Sequence, residues 1–208
     1  SEVVCISNTT KSILDLRFKL SKNKVRVIRL GIDKNLEYTP KLTKTFTVGY
    51  LGQLNSRKRV HLLIKAFKNS VLDSLVIGGE GSERKELEKL ASGDKRIIFR
   101  GFIPNEELPS FYNNLDLFVF PSIAEGYGLP IVEAMACKKP VVVLDDALIP
   151  RELKIRCIMV DRLDYLLGTK KYLLERINGI PIEDNYEFAK SHSWETCAKE
   201  YLEIYKKV

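Results

Sequence analysis

Two carboxylates eight positions apart, Glu125 and Glu133, bracket a glycine bend in Pro121-Ser122-Ile123-Ala124-Glu125-Gly126-Tyr127-Gly128-Leu129-Pro130-Ile131-Val132-Glu133-Ala134. Ionised carboxylates accept hydrogen bonds from vicinal hydroxyls, so one could hold a sugar and the other a ribose. Pro130 suits the first turn of a helix, where its missing N–H costs nothing. The N–H groups of Gly128, Leu129 and that first turn then lack intrahelical acceptors, and the peptide dipoles add positive potential; an anion is the natural occupant. Two further stretches carry charge or glycine at similar places: Gly52-Gln53-Leu54-Asn55-Ser56-Arg57-Lys58-Arg59 and Gly78-Gly79-Glu80-Gly81-Ser82.

Each stretch needs a strand before it and a helix after it. Apolar runs at Val3–Ile6, Val25–Leu30, Thr45–Leu51, Leu75–Ile77, Ile97–Arg100, Leu117–Phe120, Pro140–Leu144 and Cys157–Val160 read as buried strands. Helical spacing follows most of them: Val60, Leu63, Ile64 and Phe67; Glu83 to Ala91; Phe111, Tyr112 and Leu115 beyond Pro109; Asp164 to Asn178, broken at Gly168; and Trp194 to Tyr205. Asn8 or Thr9 is placed to cap a first helix running to about Leu20. Strand–helix alternation of this kind predicts a doubly wound, Rossmann-like α/β fold with about six parallel strands and ligand at their carboxyl ends. Glycines at Gly79 and Gly81, after a strand, predict close approach of backbone to ligand. A dinucleotide fingerprint would need a third glycine near position 84, which is Arg84.

The 121–134 stretch resembles the Glu-x7-Glu signature of family 4 (group 1) retaining glycosyltransferases of the GT-B fold, and the likeness runs along nearly the whole chain. The resemblance implies the C-terminal, nucleotide-sugar-binding half of such an enzyme: Glu125 on the donor sugar, Glu133 on the ribose, and Gly126, Tyr127, Gly128 and Leu129 on the diphosphate. Gln53 to Lys58 looks like that family's Gly-Arg-Leu-x3-Lys-Gly element, whose Arg and Lys neutralise the diphosphate. Gly52 and Lys58 match, whereas Gln53 stands for the Arg and Arg59 for the last Gly. Gly79 and Gly81 match a Gly-x-Gly turn lining the donor cleft, the backbone at Phe102 and Ile103 matches the segment that reads the base, and Asp116 precedes its strand as in the family. Two departures follow the signature: Lys138 where glycine is usual, and Ala147-Leu148-Ile149-Pro150-Arg151-Glu152 where a Gly-Gly-x-x-Glu element is usual, so that only Glu152 aligns. Lys58 and Glu125 are the implied catalytic pair.

The resemblance also implies that residues 1–22 close an acceptor-binding N-terminal domain, that 23–208 form the donor domain, and that 194–208 cross back. An apolar first strand without its sheet is expected to pack on a neighbouring chain, as in a homodimer through 1–22, or to fold over this domain. Net charge is +7, from 34 basic and 27 acidic residues, with lysines dispersed. Dispersion argues against a nucleic-acid partner, and leaves peripheral association with an anionic membrane face open. Cys5, Cys137, Cys157 and Cys197 lack metal-ligand spacing, the adjacent Asp145 and Asp146 suit a turn or cap, and no metal or cofactor is expected. His61 and His192 read as helix residues. No run of ~18 apolar residues and no basic-then-apolar leader is present, from which a cytoplasmic setting is expected. The expected activity is retaining, metal-independent sugar transfer from a nucleotide diphosphate to a sugar, lipid or protein acceptor. The alternative is a donor-binding module inactive without a partner domain.

Overall fold

The computed structural model of the chain describes residues 2–18 and 25–206. Its main body is a six-stranded parallel sheet: β3 (Thr47–Leu51), β4 (Ser74–Gly78), β5 (Ile97–Gly101), β6 (Leu117–Val119), β7 (Val141–Leu144) and β8 (Ile158–Val160). They lie in the order β5-β4-β3-β6-β7-β8. The chain therefore builds outward from β3 to one edge, returns to the middle and builds outward from β6 to the other. The direction reverses between β3 and β6, and at such a switch the loops leaving the two strands diverge and open a crevice. Both halves of the Lys58 and Glu125 pair lie on loops that leave these two strands.

Every residue of β6 and β7 is buried, as a parallel sheet covered on both faces requires. The covering helices are α2 (Val60–Lys68), α3 (Arg84–Ala91), α4 (Leu108–Asn113), α5 (Leu129–Ala136), α6 (Arg151–Lys154), α7 (Leu163–Leu167), α8 (Lys170–Asn178) and α9 (Ile182–Lys190), with short 3-10 turns at Ser56–Lys58 and Asn105–Glu107. In α5, Ile131, Val132, Ala134, Met135 and Ala136 are all buried, because the helix is pressed between the sheet and α9. Glu133 is its one charged side chain.

Asp116 sits at the opposite end of β6 from the crevice. Its carboxylate takes the Thr47 N–H at 2.7 Å and the Lys41 ammonium, tying the starts of β3 and β6 together. It is a strut of the sheet. Lys138, just past α5, has φ 55°. That left-handed conformation at a helix end is why glycine is common there; here the lysine is held by Glu183 at 2.7 Å and by the rings of Tyr38 and Tyr186.

The first strand does have a partner. β1 (Val3–Cys5) pairs in parallel with β2 (Val25–Val27), so the two strands of this small sheet come from either side of the boundary expected near residue 22. α10 (Trp194–Tyr205) lies over them through Ile28, Cys197 and Ile204, with Val4 and Tyr201 at the margin. α1 (Asn8–Phe18) begins at Asn8, and its cap is Ser7, whose Oγ accepts the Thr10 N–H at 3.1 Å. The expected cap at Asn8 or Thr9 is thus one or two residues late; the expected end at Leu20 lies outside the described residues. All four cysteines are buried and free.

Candidate functional site

The bend between β6 and α5 keeps its donors unspent. Glu125 N–H goes to Leu148 O at 2.9 Å, and Ile131 N–H folds back to Gly128 O at 3.0 Å. Between them, among the described residues, the N–H groups of Gly126, Tyr127, Gly128 and Leu129 donate to no protein acceptor. Gly126 is exposed and Leu129 half-exposed. Gly128 takes φ 106°, a value that L side chains rarely adopt, and that kink turns the strand loop into the helix. With Pro130 supplying no N–H, the result is a run of backbone donors at a helix start, where the macrodipole adds to them.

Glu125 stands beside this run. Its Oε1 accepts from Lys58 Nζ at 2.5 Å, Ser122 Oγ at 2.5 Å and Arg57 Nη1 at 3.2 Å. Lys58 is buried above the Phe120 ring, with its ammonium 4.9 Å from the centroid. Burial pushes the Lys58 ammonium down from its usual range, and the bond to Glu125 pulls it back. The loop that carries Glu125 is fixed from below by Arg59. Its guanidinium bonds Pro121 O at 2.8 Å, Ser122 O at 3.3 Å and both oxygens of Asp146 at 2.7 Å, and it holds the Asp146 carboxyl below the usual carboxylate range.

Glu133 faces a different neighbour. The Tyr112 hydroxyl donates to its Oε2 at 2.7 Å, and burial raises the Glu133 carboxyl above the ordinary range while that hydrogen bond draws it partly down. Glu125 and Glu133 share no partner: the first turns to the β3 loop, the second to α4.

Several expectations are corrected. At Gly79 and Gly81 the close approach is made by the chain itself, which fills the space where a Cβ would stand. A Cβ at Gly79, where φ is 119°, would lie 1.9 Å from Gly52 O, and one at Gly81 would lie 2.2 Å from Leu54 O. The two turns are zipped by Gly52 N–H to Gly78 O at 3.2 Å, Leu54 N–H to Glu80 O at 2.8 Å and Glu83 N–H to Leu54 O at 3.0 Å. Tyr127 turns its ring inward, 3% exposed and 6.1 Å from the His192 ring, so only its backbone can serve the bend. His192 is not in a helix; it is buried in the link between α9 and α10, its Nδ1 2.7 Å from Phe188 O. Gln53 is exposed, its Oε1 taken by the Asn55 amide at 2.8 Å and its carbonyl by the Tyr50 hydroxyl at 3.0 Å.

Phe102 is 74% exposed and Ile103 buried, just beyond β5. Three strand spacings of ~4.8 Å, roughly 14 Å, separate β5 from β6, so residues there can meet only the far end of an extended ligand. The 147–152 segment, which lacks the expected glycines, pairs with the Glu125 loop instead: Ala124 and Leu148 form a parallel bridge. Among the described residues no group of three His, Cys, Asp or Glu side chains gathers, and no helix is long and apolar enough to cross a membrane.

The family described as "Glycosyl transferases group 1" matches residues 32–156, which include the bend, Lys58 and both glutamates. The chain belongs to this family. Among curated relatives, it is 28% identical to an uncharacterised glycosyltransferase of Methanocaldococcus jannaschii, over 99% of this chain and 60% of that protein. It is 29% identical to the O-antigen chain mannosyltransferase B of Escherichia coli, over 76% of this chain and 45% of that protein. The chain spans about 60% of the length of the first of these relatives. Among solved structures, Anabaena Alr3699/HepE in complex with UDP-glucose superposes with a TM-score of 0.81 at 21% identity, covering 100% of this chain and 64% of that one. The sucrose-phosphate synthase of Thermosynechococcus elongatus gives 0.81 at 22%, covering 99% and 57%. These likenesses establish the GT-B half; the group 1 chain's own site rests on its residues. Arg59, Ser122, Tyr112 and Asp146 support the site from separate parts of the chain, and only the tertiary fold brings them to the bend.

Proposed function

We propose that this chain is the donor-binding half of a retaining, metal-independent glycosyltransferase that uses a nucleotide-diphosphate sugar. The observation that carries the reading is the run of four unspent amides at 126–129, with Lys58 and Glu125 at one end and Glu133 one turn into the helix. Diphosphate oxygens take the amides and the Lys58 ammonium. Ribose hydroxyls donate to Glu133, and the base lies toward Phe102 and Ile103. Glu125 gives up part of its bonding to Lys58 and Arg57 to accept from the sugar.

In the reaction the bond from the sugar's anomeric carbon to the diphosphate oxygen breaks. The acceptor hydroxyl bonds the same face, and its proton leaves with the departing phosphate. Amides and Lys58 oppose the charge that develops on the diphosphate and are already in place before it appears. Glu125 Oε1 already has three donors, which favours orienting the sugar over attacking it. The acceptor, a sugar, lipid or protein, belongs to a second domain, and the setting is the cytoplasm or the cytoplasmic face of a membrane.

A second reading, a module that binds donor but turns nothing over alone, is favoured by the neutral Gln53 where the family carries Arg and by the 147–152 segment, which lacks the family's glycines and pairs with the Glu125 loop. A thermal-shift screen of nucleotide sugars tests donor binding, since a ligand at ~100 times its dissociation constant adds ~2.7 kcal/mol. No shift with any nucleotide sugar would remove both readings. Transfer or donor hydrolysis by the isolated chain would remove the second.

A further inference from the structure

We propose that Arg57 is the second cation of the diphosphate site, a binding residue that complements Lys58. The inference rests on the donor-site reading above. A diphosphate esterified at both ends carries about two negative charges. Opposite it stand Lys58 and a helix start worth roughly half a charge. About half a negative charge is left unopposed, which a further cation would cover.

Three side chains of the β3 loop are near enough to be considered. Gln53 is neutral, and its amide oxygen is engaged by Asn55 at 2.8 Å. Arg59 is committed: its bonds to Pro121 O, Ser122 O and both Asp146 oxygens hold the loop that carries Glu125, and it could not turn to a ligand without releasing that loop. Arg57 differs from both. Its side chain is 47% exposed, and only Nη1 is engaged, with Ala124 O and with Glu125 Oε1 at 3.2 Å. Among the described residues its Nε and Nη2 donate to nothing. The oxygen that it shares is already held at 2.5 Å by Lys58.

An arginine in this position offers a planar fork suited to two phosphate oxygens. Its loss from Glu125 is made good by the donor itself, because the sugar hydroxyl that reaches Glu125 replaces the N–H that leaves. The guanidinium therefore exchanges one carboxylate oxygen for the diphosphate as the donor enters, and Glu125 exchanges one donor for another.

The test measures dissociation constants by titration calorimetry for the wild-type chain, R57Q, R57K and the double variant R57Q/Q53R. The probes are UDP, GDP, the matching monophosphates and inorganic pyrophosphate. For whichever diphosphate the wild type binds, R57Q is expected to weaken affinity about tenfold and R57K by less. The monophosphate should stay within about twofold, and Q53R should recover most of the R57Q loss by restoring a cation on the same loop. Melting temperatures of R57Q and the wild type should agree within a degree or two, since the residue is exposed. Diphosphate affinity unchanged in R57Q would overturn the assignment and leave the donor site standing. Equal losses for mono- and diphosphate would also overturn it, because Arg57 would then be acting by holding the 124–125 loop. A wild-type chain that binds none of the probes would bring down the donor-site reading and this inference together.

Discussion

The molecule contains two glycine turns of similar composition, and they do opposite things. Gly79 and Gly81, after β4, have no room beside them because the 52–54 turn fills it, with carbonyl oxygens 1.9 and 2.2 Å from where a Cβ would stand. Gly126 and Gly128, after β6, have no such neighbour: a Cβ at Gly126 would meet only Ile6 Cδ1 at 3.3 Å, and their N–H groups are unspent. Glycine after a strand thus signals close approach without saying what approaches. The backbone donors separate the cases only in part: Gly79 N–H goes to Gly101 O, and Leu54 and Glu83 give theirs across the zipped turns, but among the described residues Gly81, like residues 126 to 129, donates to nothing in the chain.

Substitution breaks the comparison most sharply at Gly79. Gly79→Ala places a methyl inside van der Waals contact with Gly52 O at a positive φ, and the expected cost is about 3 kcal/mol of stability, read as a lower denaturation midpoint. Gly126→Ala, by contrast, should fold normally and lose donor affinity only to the extent that the methyl crowds the diphosphate. If Gly79→Ala proved as stable as wild type, the zipped description of that turn would fail.

The next effect concerns Glu133, where binding and stability should move in opposite directions. Burial holds its carboxyl above the usual range. A carboxyl raised on folding takes up its proton at a higher pH than in the unfolded chain, so it costs stability progressively as pH rises through that range. Glu133→Gln keeps the polar contact to Tyr112 and removes the charge. It should raise the melting temperature at neutral pH, raise it little near pH 4, and abolish most of the donor-induced shift at every pH. Donor affinity of the wild type should fall with acidification before ordinary carboxylates are protonated. Tyr112→Phe, by removing the bond that lowers the carboxyl, should move that fall to higher pH; a titration showing it unmoved or moved lower would separate Glu133 from donor binding.

The smallest expected difference is between two adjacent aspartates. Asp146→Ala frees the Arg59 guanidinium that anchors Pro121 and Ser122, and should weaken donor binding several-fold with a loss of roughly 1 kcal/mol or less, as suits an exposed partner. Asp145→Ala should change neither quantity. Equal effects of the two would remove the Arg59 clamp from the account.

The fold was legible in the sequence wherever a strand was apolar throughout, as in Val141–Leu144, and wherever a turn and a helix start coincided, as at Gly128 and Pro130. The alternation of elements implied a doubly wound sheet, but which two strands flank the switch is set by the pairing of strands distant in sequence. α9 was not legible: Ile182–Lys190 carries Glu183, Asp184, Asn185 and Glu187, and its place is set by packing on α5 instead of by its own pattern. Within the candidate site, Glu125 and the bend stood out by residue type and spacing and Lys58 through the resemblance; that Lys58 and Glu125 meet, at 2.5 Å, is the structure's addition. The inward turn of Tyr127, the commitment of Arg59 and the role of Asp116 as a strut could not, since each depends on a partner at least 60 positions away or on the register of the sheet.

The central claim is that the 126–129 amides receive the anion. Amide chemical shifts of the isotopically labelled chain, followed while the tightest-binding nucleotide sugar of the thermal-shift screen is added, address it most directly. The N–H signals of Gly126, Tyr127, Gly128 and Leu129 are expected to move furthest downfield, with those of Gly79 and Gly81 nearly still. Saturating donor that shifts the 79–81 amides while leaving 126–129 in place would contradict it.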